Sequence, residues 1–323
     1  MPRTAQTSHD THALAPRRGG GGWIKALIVA LVIAGLIAAA ALWAVHKLGH
    51  ISIFQSSGCT ASSSAGSMSL DLEQAKNAST IAAVGVSMNV PPFGIEVALA
   101  TARQESKLHN LDYGDRDSVG LFQQRPSQGW GTQAQILNPV YSTTKFYQAL
   151  LNVSGWQSMT LTAAAQKVQN SGSPTAYAQW EQFATVLSGV FTGSAGAGLG
   201  CTLDGPTFPA QSKVSGALLT ARGQAVVNEL RAEFGSANVG KIDGIAADGH
   251  SFGLAAPASV SGAAATTREW AYANWAAAQA ETMGITQVSY GGKTWSASDG
   301  ASGWKADSSA AANAGSVHIA LAS

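Results

Sequence analysis

Residues 91–124 read PPFGIEVALATARQESKLHNLDYGDRDSVGLFQQ. The pair Pro91-Pro92 fits the start of a helix, because proline is tolerated in a first turn. Ile95, Ala98, Leu99 and Ala102 follow at helical spacing and make one apolar stripe. Glu96 projects about 100° from Ile95, on the side of Arg103 and Lys107, which predicts a solvated, ion-paired face. Glu105 comes seven residues after Ala98 and three after Ala102, at the edge of the stripe near the helix end. A carboxyl at such an edge is partly desolvated, the setting in which a general acid works.

Fifteen residues after Glu105, across the polar loop HNLDYGDRDSV, stands Gly120-Leu121-Phe122-Gln123-Gln124. Glu105-Ser106 at a helix end, followed by this segment, resembles the lysozyme-like lytic transglycosylases. Those carry a Glu-Ser pair and a downstream Gly-Leu-(Met/Phe)-Gln. The resemblance covers about 120 of the 323 residues. It implies a mainly α domain that cleaves the glycan strands of peptidoglycan. Glu105 would protonate the glycosidic oxygen, then take the 6-hydroxyl proton or activate a water. Ser106, Gln123 and Gln124 would position the sugar. The family's later Ala-Tyr-Asn is matched only by Ala176-Tyr177-Ala178, so Tyr177 either closes the sugar cleft or packs in the core. Trp130, in the turn SQGWGT, is the aromatic most suited to face a sugar. Asp112, Asp115 and Asp117 offer a second carboxylate that could activate water, as in goose-type lysozymes, or could cap backbone NH groups. Lyase and hydrolase therefore both stay open.

Upstream, Ala26–Val45 is an apolar run of 20 residues without charge, bracketed by Lys25 and Lys47. At about 1.5 Å per residue it is long enough to span a bilayer. Arg3, Arg17, Arg18 and Lys25 precede it, so the positive-inside rule predicts a cytoplasmic N-terminus and a single pass through the plasma membrane. The exterior part then faces the cell wall. The expected partition is a disordered tail at 1–22, a transmembrane helix at 23–47, a Ser- and Gly-rich tether at 48–70 and the lysozyme-like domain at 71–190. A linker at 191–212 and a second domain at 213–323 follow. Cys59 and Cys201 sit in the similar contexts GCTAS and GCTLD at the two ends of the first domain. In an exterior compartment they are expected to bridge; the alternatives are two free thiols or a lipid-modified Cys59.

The second domain alternates helical and strand patterns. Trp270, Asn274, Ala278 and Thr282 follow one helical face, Gly284 suits a C-cap, and 285–290 alternate as a strand. His250-Ser251-Phe252-Gly253-Leu254-Ala255-Ala256-Pro257 and Gly315-Ser316-Val317-His318-Ile319 resemble the His-x-x-Gly-x-Ala-x-Asp and Asp-His-Val-His-Val segments of D-Ala-D-Ala carboxypeptidase-like zinc enzymes. His250 and His318 remain, but Pro257 stands for the metal-binding Asp and Gly315 for the general base. The resemblance thus implies a vestigial metal site, without zinc and without peptidase activity.

The chain as a whole is expected to be α+β: one transmembrane helix, a mainly α lysozyme-like domain and a small α+β C-terminal domain. Charged residues are 11% of the chain and its net charge is +1. Without residues 1–47, 14 bases face 17 acids, which excludes a large nucleic-acid-binding face. No cofactor is called for. The expected partners are peptidoglycan glycan strands, the plasma membrane through Ala26–Val45, and cell-wall or secretion-system proteins. The rival reading is a non-catalytic cell-wall-binding or secretion-system assembly protein.

Overall fold

The computed structural model describes residues 57–323, except 173–174, 206–207, 214–215 and 310–314, together with Leu27, Ile28, Leu31, Val32, Ile33, Gly35 and Ala38. The seven early residues are helical. The rest of the expected span, and the whole tail at 1–22, lie outside the described residues. Among the described residues no helix is long and apolar enough to cross a membrane. Residues 56–323 form one compact unit.

That unit opens on strands in the region read as a tether. β1 (Gly58–Ser63) and β2 (Gly66–Leu70) form an antiparallel hairpin. β3 (Leu199–Thr202), inside the stretch read as a linker, pairs with the other edge of β1. In this pairing Cys59 lies directly opposite Cys201, and the two form a disulfide. Cys59 and Ala61 are buried on one face of β1, while Thr60 and Ser62 are exposed on the other. The period of two is therefore present, but in residues too small to announce a strand.

α1 (Leu72–Ser87) begins at Asp71, whose side chain accepts from Gln74 N at 2.8 Å while Gln74 Oε1 accepts from Asp71 N at 3.0 Å. This capping box satisfies two backbone donors at once. α2 (Pro92–Ser106) follows with proline at its first position. α4 (Pro139–Leu151), α5 (Leu161–Gln169) and α6 (Glu181–Phe191) pack around α2, with the short α3 (Gln133–Ile136) before them. Gly85 sits where α1, α2 and α4 meet. A Cβ there would stand 2.7 Å from Ile95 Cγ1 and 2.8 Å from Tyr147 Oη, so the close approach requires glycine.

The remainder is a six-stranded antiparallel sheet with helices against it. α7 (Ala221–Phe234) precedes β4 (Ile242–Asp243) and β5 (Ser251–Leu254). α8 (Gly262–Ala278) and α9 (Ala280–Met283) lead to β6 (Ile285–Tyr290), β7 (Lys293–Ser296), β8 (Lys305–Ala306) and β9 (Val317–Leu321). The strand order is β4-β5-β9-β6-β7-β8. The architecture is α+β, and Gly284 ends α9 in the left-handed conformation, at φ 66°.

The helical part and the sheet part share a core. Glu233 of α7 is 1% exposed. It accepts from Thr80 of α1 at 2.9 Å, from Trp275 Nε1 of α8 at 2.6 Å and from Gln279 Nε2 at 3.4 Å. Asn274 Nδ2 donates to the carbonyls of Val190 at 2.9 Å and Gly196 at 2.8 Å. Burial pushes the Glu233 carboxyl up to about 8 against these hydrogen bonds, and the nearby Glu229 adds to the rise.

Candidate functional site

Glu105 stands in the last turn of α2 and borders a polar cavity of about 540 Å³. Glu73, Gln104, Ser106, Lys107 and residues 109–113 complete its lining. Glu105 Oε1 accepts from the Tyr177 hydroxyl at 2.7 Å. Tyr177 is fully buried, and its hydroxyl titrates well above the ordinary tyrosine range, first through burial and then through its bond to Glu105. Tyr177 is thus both core and site: its ring packs inside while its hydroxyl meets the carboxyl.

The residues before Glu105 are held by the same neighbouring segment. Gln104 Oε1 accepts from Trp180 Nε1 at 2.8 Å and from Gln179 Nε2 at 3.2 Å. The Arg103 guanidinium lies 4.9 Å from the ring centres of both Trp180 and Phe183, a cation–π clasp. Gln104 carried no motif in the sequence, and Trp180 stood out only as one of several aromatics that core packing explains equally well.

Several residues expected to touch sugar have other duties. Ser106 is buried and donates to Leu121 O at 2.8 Å and to Ala102 O at 3.1 Å. It ties α2 to the Gly-Leu-Phe-Gln segment, its one hydroxyl proton shared between those two carbonyls. Gln124 is 2% exposed and donates to Ser142 O at 3.1 Å, so it is a core residue. Gln123 donates to the carbonyls of Tyr113 and Gly120, both at 3.3 Å, and lies outside the cavity lining. Gly120, at φ 80°, makes room for the Ile136 carbonyl, which a Cβ would approach to 2.9 Å. Trp130 is half-buried on the core, outside that lining, and its carbonyl accepts from Tyr141.

The loop carboxylates divide in the same way. Asp117 accepts from Arg125 Nε at 2.7 Å, from Ser127 N at 2.7 Å and from Ser127 Oγ at 3.0 Å. The Arg125 bond, then those from Ser127, hold its carboxyl well below the usual carboxylate range. Asp117 is a turn-capping residue. The Asp115 side chain is 92% exposed, and its only ion pair among the described residues is with Arg116 at 3.9 Å. Neither borders the cavity; Asp112 and Glu73 do. Glu73 Oε1 accepts from Asn110 N at 2.9 Å and so pins the loop after Glu105 to the start of α1. Glu73 was not singled out in the sequence, and its partner lies 37 residues away.

Glu96 departs from the solvated, ion-paired face expected of it. It is half-buried, accepts from Thr185 Oγ1 at 3.3 Å, and burial raises its carboxyl above the usual range. Arg103, its expected partner, is turned to Trp180 and Phe183 instead.

The two histidines of the second region are held by different backbone partners. His318 pairs with Gly253 in the β5–β9 ladder, whereas His250 O accepts from Leu321 N. His318 thus sits within β9, while His250 stands just before β5. Asp248 accompanies His250, with 3.8 Å between Oδ2 and Nδ1, and Asp243 pairs opposite Gly253, beside His318. Among the described residues no group of three or more His, Cys, Asp or Glu side chains is placed to share a metal ion.

No curated protein matches the chain. The family described as VldE, C-terminal domain, matches residues 215–317. The stretch from α7 to the start of β9, about a third of the chain, is therefore similar to that family.

Proposed function

We propose that this chain cleaves the glycan strands of peptidoglycan, in the manner of a lytic transglycosylase, with Glu105 as general acid and then base. The observation that carries the reading is one carboxyl at a helix end, open to a polar cavity on one side and held by the buried Tyr177 hydroxyl at 2.7 Å on the other. The Tyr177 hydroxyl, bonded to Oε1, fixes the direction of the carboxyl group. The acid delivers its proton to the glycosidic oxygen. The resulting carboxylate, steadied by Tyr177, then accepts the proton of the attacking 6-hydroxyl, and a 1,6-anhydro end forms. The engagement of Asp117 and the position of Asp115 leave Asp112, which borders the cavity, as the loop aspartate that a water-activating route would use.

In this reading Ala26–Val45 anchors the chain in the plasma membrane with the N-terminus inside. The region similar to the VldE C-terminal domain acts without catalysis, as a contact for wall or secretion-system components.

The test is the full chain in detergent with isolated peptidoglycan, beside Glu105→Gln, with products read by mass spectrometry. Anhydro-ended fragments from the unaltered chain alone support the proposal. Reducing ends replace it with a lysozyme-type hydrolase. Binding to the wall without product from either protein replaces it with a non-catalytic wall-binding protein.

A further inference from the structure

The turn directly after Glu105-Ser106 has an unusual backbone. Lys107 and Leu108 are consecutive non-glycine residues at positive φ, 57° and 66°. Each such residue is disfavoured, because Cβ crowds the following carbonyl. Something must hold the pair, and α1 supplies it. Gln74 Nε2 donates to Lys107 O at 2.9 Å, and Asn77 Nδ2 donates to Leu108 O at 2.7 Å. Both donors are nearly out of solvent, at 9% and 2% exposure.

The Gln74 amide has no freedom to turn. Its Oε1 closes the capping box on Asp71 N, so its Nε2 must point the other way, at Lys107. The start of one helix therefore dictates the end of the next. The end it dictates is where Lys107 N and Leu108 N return to the carbonyls of Arg103 and Ala102, either side of the turn that carries Glu105.

We infer that Gln74 and Asn77 are positioning residues for Glu105: by holding the left-handed turn at Lys107–Leu108 they set where its carboxyl stands opposite Tyr177. Neither touches the place where a glycan would react. They act on the angle of the last turn of α2. Without Gln74 the Lys107 carbonyl keeps the long contact from Arg103 Nη1 at 3.5 Å, which is too weak to hold the turn, and the fold is expected to survive the loss of one amide. The turn, no longer held, relaxes toward ordinary φ and carries Glu105 with it. A displacement of about 1 Å at a reacting group costs up to about a hundredfold in rate.

The effect on rate rests on the proposed glycan cleavage; the effect on Glu105 does not. Two readouts on the full chain keep them apart. With peptidoglycan as substrate, Gln74→Ala is expected to lower kcat by about tenfold or more and leave KM within about twofold. On a Lys107→Gly background the same change is expected to shift kcat by less than about twofold, because glycine holds the left-handed conformation unaided. Without substrate, the ¹³C resonance of the Glu105 carboxyl, assigned by its loss in Glu105→Gln, is expected to move in Gln74→Ala. It should not move when Gln74→Ala is added to Lys107→Gly. A merely structural role would lower stability and kcat together, equally on both backgrounds. An unmoved Glu105 resonance in Gln74→Ala, or an undiminished effect on the glycine background, overturns the inference. An unaltered chain that cleaves nothing overturns the glycan reading, and the resonance then decides the positioning role by itself.

Discussion

Glu233→Gln isolates the energetics of the carboxyl buried between α1, α7 and α8. Its folded pKa, about 8, lies above the ordinary value of 4.5 because burial disfavours the charged form. The folded state thus keeps a proton that the unfolded state releases at lower pH. Stability from this group is complete below about pH 4.5 and is lost as pH rises through about 8. The interval from 4.5 to about 8 corresponds to roughly 5 kcal/mol, the largest loss this carboxyl can cause. Glutamine keeps an oxygen for the Thr80 hydroxyl or the Trp275 indole but does not titrate in this range. Urea unfolding of the full chain in non-ionic detergent, followed by tryptophan fluorescence, measures the difference at several pH values. Relative to Glu233→Gln, the unaltered chain should weaken by several kcal/mol between about pH 5 and pH 8. Parallel stability curves for the two proteins would refute the reasoning, because the carboxyl would then be no more desolvated in the fold than in the unfolded chain.

Removing the disulfide by Cys59→Ser with Cys201→Ser frees a loop spanning 142 residues, for which chain entropy predicts a loss of roughly 5 kcal/mol; urea midpoints with and without reductant measure it. Tyr177→Phe keeps the buried ring and removes one hydrogen bond to a carboxylate, worth roughly 1.5–3 kcal/mol, so the thermal midpoint should fall, and kcat on peptidoglycan should fall by up to about 150-fold to the extent that the bond strengthens in the transition state. Gly85→Ala should destabilise by about 1–3 kcal/mol, read by thermal unfolding, because its methyl would meet Ile95 and Tyr147 below contact distance. Asp117→Asn should hasten proteolysis of the loop at 112–118 while leaving glycan products unchanged, since its carboxylate caps Ser127 and pairs with Arg125 outside the cavity.

The helices were legible because their signals are local. Pro91-Pro92 opens α2, and apolar residues recur at helical spacing along it. The strands of the first sheet were hidden because Gly, Ser, Ala and Cys carry little β preference, and pairing alone makes them strands. Glu105 was singled out because a Glu-Ser pair followed fifteen residues on by Gly-Leu-Phe-Gln is a short-range motif. Its surroundings were not. Gln104 and Glu73 meet Trp180 and Asn110 across 76 and 37 residues, and no spacing rule reaches that far. Glu96 was misjudged for the same reason, since α6 covers the face that its own helix leaves open. Ser106 and Gln124 belong to the motif that drew attention to the site, yet they build the scaffold around it, so a motif marks a place more securely than it assigns a task.

The register that sets Cys59 against Cys201 also decides how the molecule carries load. Tension entering the chain before Cys59 and leaving after Cys201 passes through one sulfur–sulfur bond. The intervening segment, with α1, α2 and the cavity at Glu105, then lies on a slack side branch. A pull between those two points cannot stretch the cavity open until that covalent bond breaks.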